Sequence, residues 1–335
     1  MVAAPASAPA VLSSLLAAVG NTPVVELRRL APGLGCTLLA KLEALNPGGS
    51  IKDRPALRIL KQALAAGRLS PGSLVVESSS GNMGIGLAQA CLYYGLRLIC
   101  VVDPKASAMN VEILRAYGVE VDCVETPDPV TGDFLPARLA RVSEWLQRFP
   151  HAFWPNQYVN EDNAHAHRDT TMAEIIECCG EVDYVFCATS TCGTVRGCVD
   201  YVERHGLNTK VIAVDAVGSI IFGGERQKRL LPGMGAAIVP DLRPASGLER
   251  VVLVTDLESV VGCRRLLRKE AIFAGASSGG VVAAALKLLQ QVSAGRAVLI
   301  LPDRGERYLN TVFSDPWVAE HFGAVQSLWQ EKAPR

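Results

Sequence analysis

The sequence predicts an α/β protein of two lobes, each a mostly parallel sheet flanked by helices. Short apolar runs alternate with segments of helical spacing along most of the chain. The apolar runs are continuous, as strands buried on both faces require. Glycine closes several helical segments, and proline opens one, which is the expected punctuation of helix ends.

In order, "TLLAKLEAL" (37–45) reads as a strand and "RPALRILKQALAAG" (54–67) as a helix ending at Gly67. "SLVVE" (73–77) is a short buried strand, and "GIGLAQACLYYG" (84–95) is helical. "RLICVVD" (97–103), "MNVEILRAYG" (109–118) and "VEVDCVE" (119–125) read as strand, helix and strand. "PARLARVSEWLQRF" (136–149) is a helix with proline at its start. "FPHAFWPN" then interrupts the pattern with two prolines, which puts the break between lobes near 150–156. The second series runs strand, helix, strand over 183–190, 194–206 and 210–216, then helix 278–292 and strand 297–302.

Lys plus Arg equals Asp plus Glu at 33 each, so nothing in the charge balance favours nucleic acid or a charged membrane. The 335 residues, 49% of them hydrophobic, suffice for a sizeable core. Ten cysteines include no Cys-x-x-Cys and lie mostly in apolar runs, as small buried hydrophobes of a reducing compartment. "HAH" (165–167) has no partnering ligand pattern, so no metal is expected. The first 20 residues lack the basic region of a signal peptide, and residues 1–10 read as a disordered leader. No apolar run reaches the roughly 20 residues needed to span a bilayer, and the expected location is cytoplasmic.

Three Ser-, Thr- and Gly-rich stretches follow strand-like segments and precede helices: "ESSSGNMG" (77–84), "TSTCGTVRG" (189–197) and "FAGASSGG" (273–280). In open α/β sheets, ligands bind at such strand ends, where helix N-termini favour anions. "STCGT" (190–194) suits a phosphate and "SSGN" (79–82) a carboxylate. Taken singly, each stretch reads equally well as an ordinary helix cap. Neither G-x-G-x-x-G nor a Walker loop is present, which points to a phosphate-bearing cofactor that is not a nucleotide. "NPGGSIKDR" (46–54) adds a turn-prone lead-in to one lysine, Lys52, at a helix start.

With "GTVRG", "PGMGA" (232–236) and "GASSGG" in the same order, the set resembles the fold-type II pyridoxal-phosphate enzymes. These are the tryptophan synthase β-like proteins of the cysteine synthase and cystathionine β-synthase group. The resemblance runs from about residue 19 to residue 313. It implies a cofactor, pyridoxal 5'-phosphate, held as an internal aldimine by Lys52. Asn82 would bond the ring hydroxyl, and Ser190, Thr191, Cys192, Gly193 and Thr194 would hold the phosphate. Ser277 would face the pyridine nitrogen. Ser79, Ser80, Gly81 and Met83 would grip the substrate carboxylate. A neutral serine at the ring nitrogen suits β-elimination followed by β-addition, through an aminoacrylate. The resemblance also implies a homodimer, a smaller mobile lobe (35–155) that closes on substrate, and a larger cofactor-binding lobe (11–34 with 156–325).

Met83 stands where cysteine synthases usually carry a hydroxyl, and Ser190 and Cys192 stand where glycines are usual. Residues 219–236 are more basic than an acetyl leaving group needs. These departures are closer to a siderophore-pathway branch that joins O-phospho-L-serine to L-glutamate. Its products are N-(2-amino-2-carboxyethyl)-L-glutamate, a precursor of 2,3-diaminopropionate, and phosphate. Two anionic substrates need cations, and Arg196, Arg226, Lys228 and Arg229 are candidates, with Lys228 also reading as a surface residue. Gln157 and Tyr158 are placed at the entrance. The competing readings are a cysteine synthase using O-phosphoserine or O-acetylserine, a lyase that releases pyruvate, and a catalytically silent binding protein.

Overall fold

A computed structural model describes residues 11–330; the leader at 1–10 lies outside the described residues. The strands are β1 (Val24–Glu26), β2 (Cys36–Leu42), β3 (Leu74–Glu77), β4 (Arg97–Val102) and β5 (Glu120–Cys123). They continue with β6 (Tyr184–Ala188), β7 (Lys210–Ala216), β8 (Leu248–Val254) and β9 (Gly295–Leu301). Two sheets result, one ordered β1-β2-β9-β6-β7-β8 and one β3-β4-β5. All neighbours are parallel except β1 and β2. The α/β class with parallel sheets is as the sequence predicts.

One boundary differs. The smaller lobe was expected to begin at residue 35, yet β2 runs through the six-stranded sheet, paired with β9 from Cys36↔Gly295 to Leu42↔Leu301. Its side chains explain why. Leu38 and Ala40 join the core on one face of the large sheet, while Leu39 packs into the core on the other. A strand apolar on both faces belongs inside a covered sheet.

The large sheet is covered on both sides. Val281, Val282, Ala285 and Leu289 of the helix Ala276–Leu289 pack with Phe186, Ile212 and Leu299. Val195, Cys198 and Val199 of the helix Gly193–His205 pack with Val185, Val211 and Val298. In the small sheet, Val75, Leu98 and Cys100 meet the helices Asp53–Ala65 and Asn82–Tyr93. Val76, Ile99 and Val101 meet Val142 of the helix Phe134–Arg148. Both sheets thus aim their strand C-termini at one cleft. Among the described residues no helix is long and apolar enough to cross a membrane.

The helices Asp256–Glu270 and Ala276–Leu289 cross at contact distance because both carry glycine there. A Cβ on Gly262 would overlap the Gly279 carbonyl oxygen, and one on Gly279 would overlap the Ser259 carbonyl oxygen. Alanine gains about 1 kcal/mol of helix propensity over glycine. Forcing two backbones apart costs about 1–3 kcal/mol or more. Gly262→Ala should therefore lower the thermal midpoint, and calorimetry showing a rise would refute this packing.

Candidate active site

The lead-in to Lys52 is fixed residue by residue. Asn46 donates to the Glu43 side chain at 2.9 Å and accepts from the Gly20 N–H at 2.9 Å. Gly49 has φ +82°, which favours glycine. The Gly48 N–H donates to Asp53 Oδ2 at 2.5 Å, leaving no room for a side chain on Gly48. The Ile51 N–H then donates to Pro302 O at 2.8 Å, stitching the loop to the end of β9. Lys52 caps the helix Asp53–Ala65 without using its side chain. Burial pulls its amine down to about 8, although Asp303 works in the opposite direction. A larger share of the amine is therefore uncharged near neutral pH, as a nucleophile or base requires.

Opposite lies the loop after β6. Cys192 takes a left-handed conformation, φ 64°, and turns the chain so that Gly193 opens a helix of 13 residues. A Cβ on Gly193 would overlap the Asn163 side chain, so glycine is required for the close approach. Asn163 in turn donates to Thr191 Oγ1 at 3.1 Å and to the Gln157 carbonyl at 2.7 Å. Thr194 Oγ1 lies 3.3 Å from His167 Nε2, and His167 Nδ1 lies 3.0 Å from Thr171 Oγ1. Burial, with Lys52 and Arg54 nearby, holds the His167 imidazole well below its ordinary value and therefore neutral. His167, one end of the "HAH" stretch, thus braces the loop. Burial also pushes the Cys192 thiol up to about 12, so no thiolate opposes an anion at this helix N-terminus.

Asn82 starts its helix and donates from Nδ2 to Asp303 Oδ2 at 2.8 Å. A carboxylate only accepts, so Asp303 fixes which end of the amide is nitrogen and leaves the second N–H for a ligand. The Tyr308 hydroxyl donates to the same oxygen at 2.9 Å. Burial raises the Asp303 carboxyl, and Oδ1 has no partner. Ser79 is partly committed: its Oγ accepts from the Gly84 N–H at 3.0 Å. The Ser78 hydroxyl is buried and without a partner. Met83 is buried, packed in the small-lobe core while also lining the cleft.

One chamber gathers these groups. Its walls include Lys52, Ser79, Ser80, Gly81, Asn82, Met83, Gln157, Tyr158, Ser277 and the run Ser190–Thr194. Arg226 is the exception among the expected site residues. It is exposed, paired with Asp133 from the smaller lobe, and lines an adjoining chamber with Lys228 and Arg229. Arg196 is paired with Asp200 on its own helix at 2.6 Å and lines neither chamber. Sequence reasoning missed Arg138, which lines both chambers and lies 3.2 Å from Asp103. Arg138 is one of several basic positions on the helix Phe134–Arg148, and no motif marks it. Among the described residues no group of acids, histidines and cysteines is placed to hold a metal.

Residues 15–303 match the pyridoxal-phosphate-dependent enzyme family. The chain belongs to that family. It is 44% identical over 311 residues to N-(2-amino-2-carboxyethyl)-L-glutamate synthase of Ralstonia nicotianae, covering 92% of each chain. Its fold is similar to a solved O-ureido-L-serine synthase, with TM-score 0.85 and 31% identity over 92% of this chain and 100% of that one. It is also similar to the O-acetylserine-dependent cystathionine β-synthase of Helicobacter pylori, with TM-score 0.83 and 28% identity over 90% and 99% of the two chains. The protein is thus a pyridoxal-phosphate-dependent transferase that catalyses β-replacement. The chamber fits that cofactor: a largely buried lysine of lowered basicity, a helix N-terminus behind a small-residue loop, and a buried serine at a third helix start.

Proposed function

We propose that the enzyme joins O-phospho-L-serine to L-glutamate, forming N-(2-amino-2-carboxyethyl)-L-glutamate and phosphate. The observation that carries this reading is the 44% identity to the Ralstonia synthase across 92% of both chains. The product would serve siderophore precursor synthesis by way of 2,3-diaminopropionate. Lys52 would hold the cofactor, with Asn82, Ser277 and the run Ser190–Thr194 around it. Bound pyridoxal phosphate supplies an electron sink for negative charge at the substrate Cα.

The residues divide the remaining work. The Lys52 amine takes the Cα proton, acting as general base. Ser80, Gly81 and the unpartnered Ser78 hydroxyl receive the substrate carboxylate at the start of the helix Asn82–Tyr93. Arg138, which lines both chambers with its Nε 3.2 Å from Asp103, would receive the phosphate as the Cβ–O bond breaks. The glutamate amine then forms the new C–N bond at Cβ and gives up a proton to solvent, and the protonated Lys52 amine returns a proton to Cα. Closure of the smaller lobe would exclude water during these steps.

A cysteine synthase is the alternative. Hydrosulfide carries one charge and no carboxylate for a guanidinium to grip bidentately, so it makes less use of Arg138, Arg226 and Arg229 than glutamate does. Mass spectrometry of products from phosphoserine in a mixture of amino acids and sulfide separates the readings. The glutamate adduct is expected as the main product. Cysteine alone, or pyruvate alone, would overturn the proposal.

A further inference from the structure

Outside the chamber that holds Lys52 lies a larger one, about 680 Å³ against about 190 Å³. Ser80 and Arg138 line both, so the two are neighbours across that wall. The smaller lobe supplies Lys105 and Arg138 to it, and the loop after β7 supplies Arg226, Lys228 and Arg229. Of the residues lining it two are carboxylates, Asp103 and Asp133, and they are paired with Arg138 and Arg226; Asp215 and Asp256 act on Arg229 from outside that lining. Among the described residues, Lys105, Lys228 and Arg229 have no carboxylate within salt-bridge distance. Arg229 gives one N–H to the Met234 carbonyl at 2.9 Å, and Lys105 lies over the Phe134 ring. The chamber is therefore a concave, two-sided site with an unbalanced positive field.

We propose that this outer chamber is the binding site of the acceptor, an amino acid with an acidic side chain, which reaches the reacting carbon past Ser80 and Arg138. The proposal rests on the amine-adding reading above and assigns its second substrate a place. An ordinary zwitterionic amino acid has no net charge and gains little from this field. An acidic one carries an extra carboxylate, and guanidinium groups match it bidentately. Arg226 sits where a ligand carboxylate can replace Asp133, which couples acceptor binding to contact between the lobes. The inner chamber meanwhile keeps its own carboxylate loop for the first substrate.

The test is competition between L-glutamate and its neutral counterpart L-glutamine, with phosphoserine as the other substrate. Adducts are counted by mass spectrometry for the wild type, Arg226→Gln and Lys105→Gln. Each ratio is internal to one protein, so differences in folding or cofactor content cancel. The wild type should prefer glutamate by at least about tenfold, and each variant should erode that preference by a factor on the order of ten. A wild type without preference, or variants that keep the wild-type ratio, would overturn the chamber assignment while leaving amine addition standing. If the wild type forms no adduct with either amine, the functional reading itself falls and takes this proposal with it.

Discussion

Lys52→Ala should lower phosphate release from O-phospho-L-serine by on the order of 10³-fold or more, because a positioned general base contributes about 10²–10⁴-fold. The loss of covalent attachment comes on top of this. The variant should nonetheless fold, since the Lys52 side chain makes no capping hydrogen bond and its loop is held by Asn46, Gly48 and Ile51. Steady-state phosphate assays with a thermal melt alongside check both halves. Turnover within tenfold of the wild type, in a protein that melts normally, would remove Lys52 from the chemistry.

Arg54→Ala should be the most damaging change to stability. Arg54 donates from Nε and Nη2 to Glu43 at 2.7 and 2.8 Å, and from Nη1 to Glu174 at 2.6 Å. Lys41 completes the cluster, 2.6 Å from Glu174. Arg54, Glu43 and Lys41 are all at most 3% exposed. Removing the guanidinium leaves the buried Glu43 carboxylate hydrogen-bonded to the neutral Thr22 and Asn46 but without its charged partner, which costs about 3–5 kcal/mol. Removing Arg54 and Glu43 together, with apolar replacements of similar volume, should recover part of that loss. Denaturant midpoints measure both, and a single variant within about 1 kcal/mol of wild type would contradict the account. Glu43 also holds Asn46, so the damage should spread to the Lys52 loop.

The same cluster sets a dependence on pH. Burial pushes the Glu174 carboxyl up, but Arg54 and then Lys41 outweigh it and hold it at about 2, against an ordinary 4.5. A carboxyl lowered by folding stabilises the fold above its ordinary value. That contribution is lost as pH falls from about 4.5 towards 2.

The parallel lobes and most of the inner chamber were legible because each rests on local sequence. Continuous apolar runs mark buried strands, and glycine, serine and threonine beside a helix start mark an anion cradle. What escaped depends on pairing across long separations. β2 is a strand by pattern, but only its partner β9, more than 250 residues on, places it in the larger sheet. The helix Asp256–Glu270 was not read, because "DLESVVGCRRLLRKE" mixes charge with a narrow apolar stripe, although Thr255 and Glu258 form a capping box. Arg138 and Asp303 act through neighbours distant in the chain, so no motif marks them, and "HAH" by itself does not show that His167 reaches Thr194. Arg226 was placed by charge alone, and charge does not say which wall a side chain faces.

The most direct measurement is reductive trapping with borohydride followed by peptide mapping. The account predicts a single pyridoxyl group, on the Nζ of Lys52 in the peptide containing "GGSIKDR". A tag on another lysine, or no tag on a protein that turns over phosphoserine, would contradict it.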